Sequence, residues 1–297
     1  MPSRKFQEYM AAGGFMGDPD TMPIPTGPDA GAPTMPPDWT PPEPNIPRCC
    51  TGGVVTVGGV KGFQLTRPGV REKTAMMYLH GGGFTIGSAM MADDLMLHFI
   101  KADNIECYGV EYTLAPRAVF PTQINEAVSF YKGLLDMGYE KIIIGGESAG
   151  ASLTLSVTLA LRDQGLPLPR AIWCSSPPGY ALAEPEEVYK QDMFFDMRRS
   201  IYDVYSPGAD PKDPLLSPVY ADYTGMPPML LQASGEESLC SGSVEIARAA
   251  AKADCEVLLH VYKDMTHTLA VMFGEYPEAD FAMAEIDSFI KFWLDLE

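Results

Sequence analysis

The chain has 297 residues, of which 46% are hydrophobic and 20% charged, so it can bury one large core or two smaller ones. Its formal net charge of −18 argues against nucleic acid or anionic membrane as a partner, because both carry dense negative charge. No stretch reaches the roughly 18 uninterrupted apolar residues that a membrane span needs.

The cysteines and the N-terminus bear on the compartment. The N-terminus lacks the apolar segment of a signal peptide, and the six cysteines show no Cys-x-x-Cys spacing. Cys49 and Cys50 are adjacent, an awkward arrangement for a disulfide, and no cysteine cluster lies near histidines as a zinc site requires. The sequence therefore predicts reduced thiols, a cytoplasmic location and no structural metal.

The first 48 residues differ in composition from the rest. A short helix is predicted over residues 3–12, and a proline-dense stretch follows from 19 to 47. Proline fixes φ and donates no backbone hydrogen bond, so this stretch is neither a regular helix nor a central strand. Its apolar residues favour an extended arm packed on the body over a disordered tail: Phe15, Met16, Met22, Ile24, Met35, Trp39 and Ile46.

From about residue 51 the pattern changes to strands alternating with amphipathic helices. A strand pair is predicted at 54–57 and 63–66, joined by a Gly58-Gly59 turn, with further strands at 74–79, 107–112, 141–145, 171–175, 229–233 and 257–262. Helices are predicted at 94–101, 122–137, 149–162, 244–252 and 279–296. This order predicts an α/β fold with a mainly parallel sheet between helices, and a ligand site at the carboxyl ends of its strands.

Residues 177–228 interrupt this alternation. They contain a predicted helical stretch near 186–205 and then a turn-rich segment, and an insertion of this length is typical of a functional lid. Its aromatic side chains suit the wall of an apolar pocket, or they serve only to pack the insertion onto the body: Tyr189, Phe194, Phe195, Tyr202 and Tyr205.

The segment 146–150 reads Gly-Glu-Ser-Ala-Gly and stands between a predicted strand and a predicted helix. In this context the serine of Gly-x-Ser-x-Gly lies on a sharp turn with its hydroxyl exposed above the sheet. The glycines relieve crowding at the turn, and the helix N-terminus places a positive dipole end beneath developing negative charge. The bare pattern occurs by chance, but its flanking elements favour Ser148 as a nucleophile.

A second motif, His-Gly-Gly-Gly at 80–83, also follows a predicted strand. Backbone amides exposed by consecutive glycines form an oxyanion hole for acyl transfer, and Gly82, Gly83 and Ala149 would supply three donors. The alternative is a flexible turn, since a phosphate loop would need Gly-Lys-Ser/Thr or Gly-x-Gly-x-x-Gly, which do not occur here. His80 is expected to brace the loop rather than to act as a base.

The general base must be one of the other three histidines. In hydrolases with this nucleophile motif the acid and then the histidine follow the serine along the chain. His98 precedes the serine, and His260 lies inside a predicted strand, whereas His267 lies in the loop after that strand. His267 is therefore the predicted base.

The acid should follow the strand predicted at 229–233, where Glu236 and Glu237 stand side by side. One carboxylate would orient the imidazole and stabilise its charged form, and the other would be solvated. Spacing alone does not separate the two.

Five ordered motifs together resemble the hormone-sensitive-lipase-like branch of the α/β-hydrolases: HGGGF at 80–84, YTLAPRAVFP at 112–121, GESAG at 146–150, DPLLSPVYAD at 213–222 and MPPMLLQASGEESL at 226–239. The resemblance extends from about Lys73 to the C-terminus. It implies that the acid is Glu237, and that residues 1–48 and 177–228 cap the pocket of one domain spanning 1–297. The chain departs from the family at Thr113, where the family usually has an arginine, and this should remove an ion pair. It also departs at Ser241 and Gly242, which stand where members often carry acidic residues.

These features predict a serine carboxylesterase that uses Ser148, His267 and Glu237 and forms an acyl-enzyme, without a metal or organic cofactor. The resemblance implies short- to medium-chain acyl esters as substrates. An amidase or deacetylase would use the same residues, and a non-catalytic ligand receptor on this fold is disfavoured because all three positions are filled. The expected partner is a small ester, with no nucleic acid and no membrane span, and a homodimer is compatible with the sequence.

Overall fold

Eight strands form one sheet in the computed structural model, which describes residues 2–12, 31–36, 38–182, 187–189 and 192–295. The strands are β1 (Thr51–Val57), β2 (Val60–Thr66), β3 (Thr74–Leu79), β4 (Glu106–Val110), β5 (Lys141–Glu147), β6 (Ala171–Ser175), β7 (Met229–Ser234) and β8 (Val257–Tyr262). Their order is β1-β2-β4-β3-β5-β6-β7-β8. Strand β2 pairs antiparallel with β1 and β4, and all other neighbours are parallel. The predicted α/β fold with a mainly parallel sheet is confirmed.

Seven α-helices accompany the sheet in the described ranges: α1 (Arg4–Ala11), α2 (Asp93–Ala102), α3 (Thr122–Asp136), α4 (Ala149–Asp163), α5 (Met193–Tyr205), α6 (Cys240–Lys252) and α7 (Pro277–Trp293). Helices α3, α4 and α6 share one hydrophobic core on one face of the sheet, and α2 and α7 share the core on the other face. Each fully buried side chain of this kind, such as Phe99 or Phe130, stabilises the fold by about 1.5–3 kcal/mol. The helices therefore fix the sheet from both sides.

The hairpin between β1 and β2 turns where the sequence predicts it. Gly58 and Gly59 have φ of 56° and 80°, and a two-residue turn of this kind needs positive φ at both positions. A Cβ on Gly58 would also lie 1.9 Å from the carbonyl oxygen of Ser129 in α3. Glycine is required there both for conformation and for the close approach of the helix.

Several predicted boundaries are wrong. Strands β1 and β2 each begin three residues earlier than predicted, and α6 begins four residues earlier. Strand β4 ends at Val110, two residues early. The Glu111 amide still donates to Lys61 of β2 at 3.0 Å, while the Tyr112 hydroxyl donates to the His80 carbonyl at 2.8 Å. The helix predicted near 186–205 begins only at Met193, and residues 183–186 and 190–191 lie outside the described residues.

The described parts of the N-terminal region pack onto the body. Phe6 of α1 contacts Tyr276, with ring centroids 5.1 Å apart, while Met35 and Ile46 pack against the two cores. Residues 31–36 and 38–50 contain neither helix nor strand, as their proline content predicts. The predicted packing of Phe15, Met16, Met22 and Ile24 falls outside the described residues.

Two findings concern the cysteines and the helices. All six cysteines are free thiols, and the Sγ atoms of the adjacent Cys49 and Cys50 lie 3.8 Å apart. In the described ranges, no helix combines the length and the apolar character that crossing a membrane requires.

Candidate active site

Ser148 occupies a strained turn between β5 and α4. Its φ is 52° and its ψ −123°, a backbone conformation that a non-glycine residue adopts only when the surrounding structure enforces it. The turn packs against the end of β3, where a Cβ on Gly150 would lie 1.9 Å, and one on Gly146 2.4 Å, from the carbonyl oxygen of Leu79. The two glycines of the motif are therefore dictated by this close approach, which raises the serine above the sheet edge.

The glycine loop after β3 curls over the same edge. Gly82 and Gly83 have φ of 100° and 60°, and both line a cavity together with Ser148. Ala149 opens α4, so its amide is one of the helix N-terminal donors without an intrahelical acceptor. Among the described residues, the backbone amides of these three positions have no hydrogen-bond acceptor. They are free to bind a negatively charged oxygen.

His80 is buried behind this loop. Its ring stacks on Tyr112 with centroids 4.2 Å apart, and its Nδ1 lies 2.7 Å from the carbonyl oxygen of Gly81. Burial lowers the pKa of His80 to about 4, although the bond to Gly81 opposes that shift. The imidazole is therefore neutral at pH 7, with Nδ1 donating to Gly81, and this is the geometry of a loop brace.

Glu237 and His267 form a buried pair on the loops that follow β7 and β8. Glu237 Oε2 lies 2.5 Å from His267 Nδ1, and Glu237 Oε1 accepts from the Ser234 amide at 2.9 Å. Their side chains are only 3% and 4% exposed. A carboxylate so buried and so bonded fixes the orientation of the imidazole.

The neighbouring acidic residues have different surroundings. Glu236 is exposed to solvent, so the two adjacent glutamates, which spacing did not separate, differ in burial. Asp264 is partly buried in the turn before His267, and its nearest cation is Lys263 at 4.0 Å. The other two histidines pair elsewhere: His98 Nε2 lies 2.9 Å from Asp287, and His260 Nδ1 lies 3.0 Å from Glu285.

A cavity of about 320 Å³ is lined by Ser148, His267 and the glycine loop. Besides Ser148, His267 and the glycine loop, its wall is mainly apolar, and much of it comes from α5 and its neighbours: Pro33, Tyr180, Val188, Met193, Phe194, Phe195, Met197, Ile201, Tyr202, Leu239, Val271 and Met272. The Phe194 ring lies 4.2 Å from the His267 ring, centroid to centroid. Helix α5 thus brings three of the five aromatic residues predicted for the pocket wall to the cavity, namely Phe194, Phe195 and Tyr202. Tyr205 stacks instead on Phe84, and Tyr189 is 61% exposed.

Glu147 is a site residue that the sequence analysis missed. Its Oε1 accepts from the Gly81 amide at 2.6 Å, and its Oε2 accepts from the Tyr78 hydroxyl. Burial raises the pKa of this carboxyl to about 7, with both hydrogen bonds opposing the shift. Glu147 ties the serine turn to the glycine loop, and only its position inside the Gly-x-Ser-x-Gly motif signalled it.

Thr113, where the sequence predicts the loss of an ion pair, forms hydrogen bonds instead. The Thr113 amide and hydroxyl each donate to the Glu126 carboxylate at 2.7 Å. Ser241, where the resemblance implied an acidic residue, donates to the carbonyl oxygen of Ser238 at 2.9 Å, and Gly242 lies against Gly179. No cluster of three or more His, Cys, Asp or Glu side chains in the described ranges is placed to hold a metal ion.

Comparisons with known proteins identify the family of this chain. A family model described as alpha/beta hydrolase fold matches residues 76–271. An acetyl-hydrolase of Streptomyces hygroscopicus is 31% identical over 250 residues, which cover 81% of this chain and 82% of the relative. An esterase of Acinetobacter venetianus is 28% identical, covering 79% and 80%.

Solved structures of other proteins are similar to this chain over most of its length. An esterase of the bacterial hormone-sensitive lipase family superposes with a TM-score of 0.76 at 33% identity, covering 83% of this chain and 86% of the other. A crystal structure of EstE5 soaked with p-nitrophenyl butyrate gives a TM-score of 0.78 at 27% identity, covering 88% of this chain and 94% of the other. The fold and site thus define a carboxylic ester hydrolase. The chain belongs to the α/β-hydrolase family, in its hormone-sensitive-lipase-like branch.

Proposed function

We propose that the protein hydrolyses short- to medium-chain acyl esters with Ser148 as nucleophile, His267 as general base and Glu237 as the acid that orients the base. The observation that carries the proposal is the buried 2.5 Å contact between Glu237 and His267, at a cavity that Ser148 also lines from its strained turn. Three loops that follow three different strands supply these residues, as acyl transfer at the carboxyl edge of such a sheet requires.

The reaction has two halves. His267 takes the proton of the Ser148 hydroxyl as the serine oxygen attacks the ester carbonyl, and it then gives the proton to the departing alcohol. The Glu237 carboxylate accepts from Nδ1 and stabilises the imidazolium formed in this step. Water, activated by the same histidine, then cleaves the acyl-enzyme and restores the serine.

The negative charge on the carbonyl oxygen develops next to the glycine loop. The amides of Gly82, Gly83 and Ala149 bind this oxygen in the proposed mechanism, each contributing more in the transition state than in the ester. The bond from the Gly81 amide to Glu147 holds the loop at the serine turn, so the donors are positioned before substrate arrives. Loss of one such donor typically lowers kcat by about 10²–10³-fold.

The cavity supports the proposed chain length. At about 320 Å³ it lies at the lower end of the roughly 300–1,000 Å³ range of small-molecule sites, and its wall is mainly apolar. An acyl chain of a few carbons would bury its methylenes against α5, each contributing about 0.8 kcal/mol. Two relatives point the same way, since one is named acetyl-hydrolase and the other was soaked with p-nitrophenyl butyrate.

The cap over this cavity combines two segments in our proposal. Helix α5, with Tyr180 and Val188, supplies side chains from the insertion 177–228, and Pro33 supplies a contact from the N-terminal region. Two further bonds fix that region: the Met35 amide donates to the Thr85 carbonyl at 3.3 Å, and the Tyr9 hydroxyl lies 3.2 Å from the sulfur of Met272. Both segments are therefore placed to act on substrate choice.

The test is turnover of p-nitrophenyl esters from acetate to decanoate by the wild-type protein and by Ser148→Ala. We expect a maximum among the short and medium chains, and a loss of about 10⁴–10⁶-fold in Ser148→Ala, with the fold intact. Ser288→Ala, which removes an exposed hydroxyl of α7, is the control and should match wild type. A folded Ser148→Ala protein that retained a tenth of the activity would refute the mechanism.

A further inference from the structure

Asp192 joins the cap helix α5 to the loop that carries Glu237. Its Oδ1 accepts from the Phe195 amide at 3.0 Å, which caps the N-terminus of α5. The same carboxylate also accepts from Ser238, through the hydroxyl at 2.6 Å and the amide at 3.1 Å. Ser238 follows Glu237 directly and is only 3% exposed. One partly buried carboxylate thus binds a donor in the helix that it caps and donors of Ser238, 46 residues further along the chain.

Capping alone does not require this arrangement. A helix N-cap needs one acceptor for the orphan amides of the first turn, and serine serves there about as well as aspartate. The contacts with Ser238 go beyond capping, and bonds from a carboxylate to buried donors are stronger than neutral ones. They hold the first turn of α5 against the Glu237 loop.

Both joined segments reach the site. Helix α5 lines the acyl cavity with Met193, Met197 and Ile201, and its Phe194 ring contacts His267 at 4.2 Å. The loop on the other side of the bond holds Glu237 on His267 Nδ1. A displacement of α5 would therefore move Ser238, the residue next to the acid, through its bonds to Asp192. An acyl chain that contacts α5 would act on the same bonds.

We propose that Asp192 is a positioning residue that couples the seating of the acyl chain on α5 to the alignment of Glu237 and His267. The inference rests on the proposed esterase function and assigns to that site a device for chain-length-dependent turnover. With the Asp192–Ser238 bonds intact, an acyl chain that fills the α5 side of the cavity keeps the Glu237 loop aligned with His267. An acetyl group leaves that side empty, so these bonds raise kcat less for acetate.

The test uses variants that separate capping from coupling. Asp192→Ser keeps an N-cap oxygen but is too short to bond Phe195 and Ser238 together. Ser238→Ala removes the hydroxyl donor and leaves the cap untouched. Asp196→Asn is the matched control, because it removes an exposed carboxylate from the same first turn of α5.

We measure kcat and KM for p-nitrophenyl acetate and hexanoate. Asp192→Ser and Ser238→Ala should each lower kcat for hexanoate about tenfold and for acetate about threefold, as expected for the loss of a charge-assisted bond. The kcat of the double variant should equal that of the less active single variant, because both changes disrupt the same Asp192–Ser238 contact. Asp196→Asn should stay within twofold of wild type.

Hydrogen exchange gives a readout that does not depend on turnover. The Ser238 amide should exchange faster in Asp192→Ser than in wild type or Asp196→Asn, because its acceptor is lost. The inference is overturned if Asp192→Ser behaves like Asp196→Asn, if the single effects multiply in the double variant, or if only KM for hexanoate changes. Inactive wild-type protein with the exchange difference present would instead count against the proposed esterase function.

Discussion

The glutamate pair gives the sharpest test of the proposed triad. Glu237 faces two donors, the Ser234 amide and His267 Nδ1, in a site whose side chains are at most 4% exposed. A glutamine at this position must turn its NH2 toward one of them. If the NH2 group faces His267, Nδ1 must accept and the imidazole proton moves to Nε2, the atom that must be unprotonated to act as base. If the NH2 group faces Ser234, it lies against the Ser234 amide, and two buried donors face each other.

The expected size of the effect follows from this geometry. Glu237→Gln should lower kcat by about 10⁴-fold, the cost of the wrong tautomer in the serine-protease triad, or roughly 5 kcal/mol of transition-state stabilisation. Glu236→Gln changes an exposed side chain, so it should stay within about 0.5 kcal/mol of wild type. Glu237→Asp withdraws the carboxylate by about 1.5 Å, the length of one C–C bond, which opens the 2.5 Å contact to about 4 Å.

Turnover of p-nitrophenyl butyrate by all three variants decides the assignment, with circular dichroism and thermal unfolding as checks of folding. The expected ranking is Glu236→Gln near wild type, Glu237→Asp partly active and Glu237→Gln almost inactive. An inactive Glu236→Gln protein would move the acid by one residue. If both glutamine variants were active, neither glutamate would be the acid. Asp264, in the turn before His267, would then become the candidate for that role.

Two further predictions concern the cap and pH. Deleting residues 1–48 should shift the chain-length profile of kcat/KM, because Pro33 lines the cavity; an unchanged profile at full activity would show that the segment does not cap the site. The pKa of Glu147 is raised from 4.5 to about 7, so its neutral form stabilises the fold below pH 4.5, and this contribution is lost as pH rises through 7. The free energy of unfolding of wild type, relative to Glu147→Gln, should therefore fall between pH 4.5 and 7 in denaturant titrations, and a flat difference would contradict the burial argument.

The sequence by itself determined the fold class and the local motifs. Strands β3, β6 and β8 occupy the predicted residues, since short apolar runs between turn signals define buried strands without reference to distant residues. The serine turn is equally local, because its two glycines and its flanking strand and helix are contiguous in the chain. Family resemblance then selected Glu237, a choice that the pattern of residues had left open.

Only the tertiary structure decided which side chains meet. Glu147 reaches Gly81 across 66 residues and Asp192 reaches Ser238 across 46, and no periodicity encodes such contacts. The different burial of Glu236 and Glu237 is likewise a tertiary property, since both lie in one turn and only the packing of the β8 loop covers the second. Local propensity and hydrophobic period fix elements, whereas burial and side-chain pairing depend on how those elements are brought together.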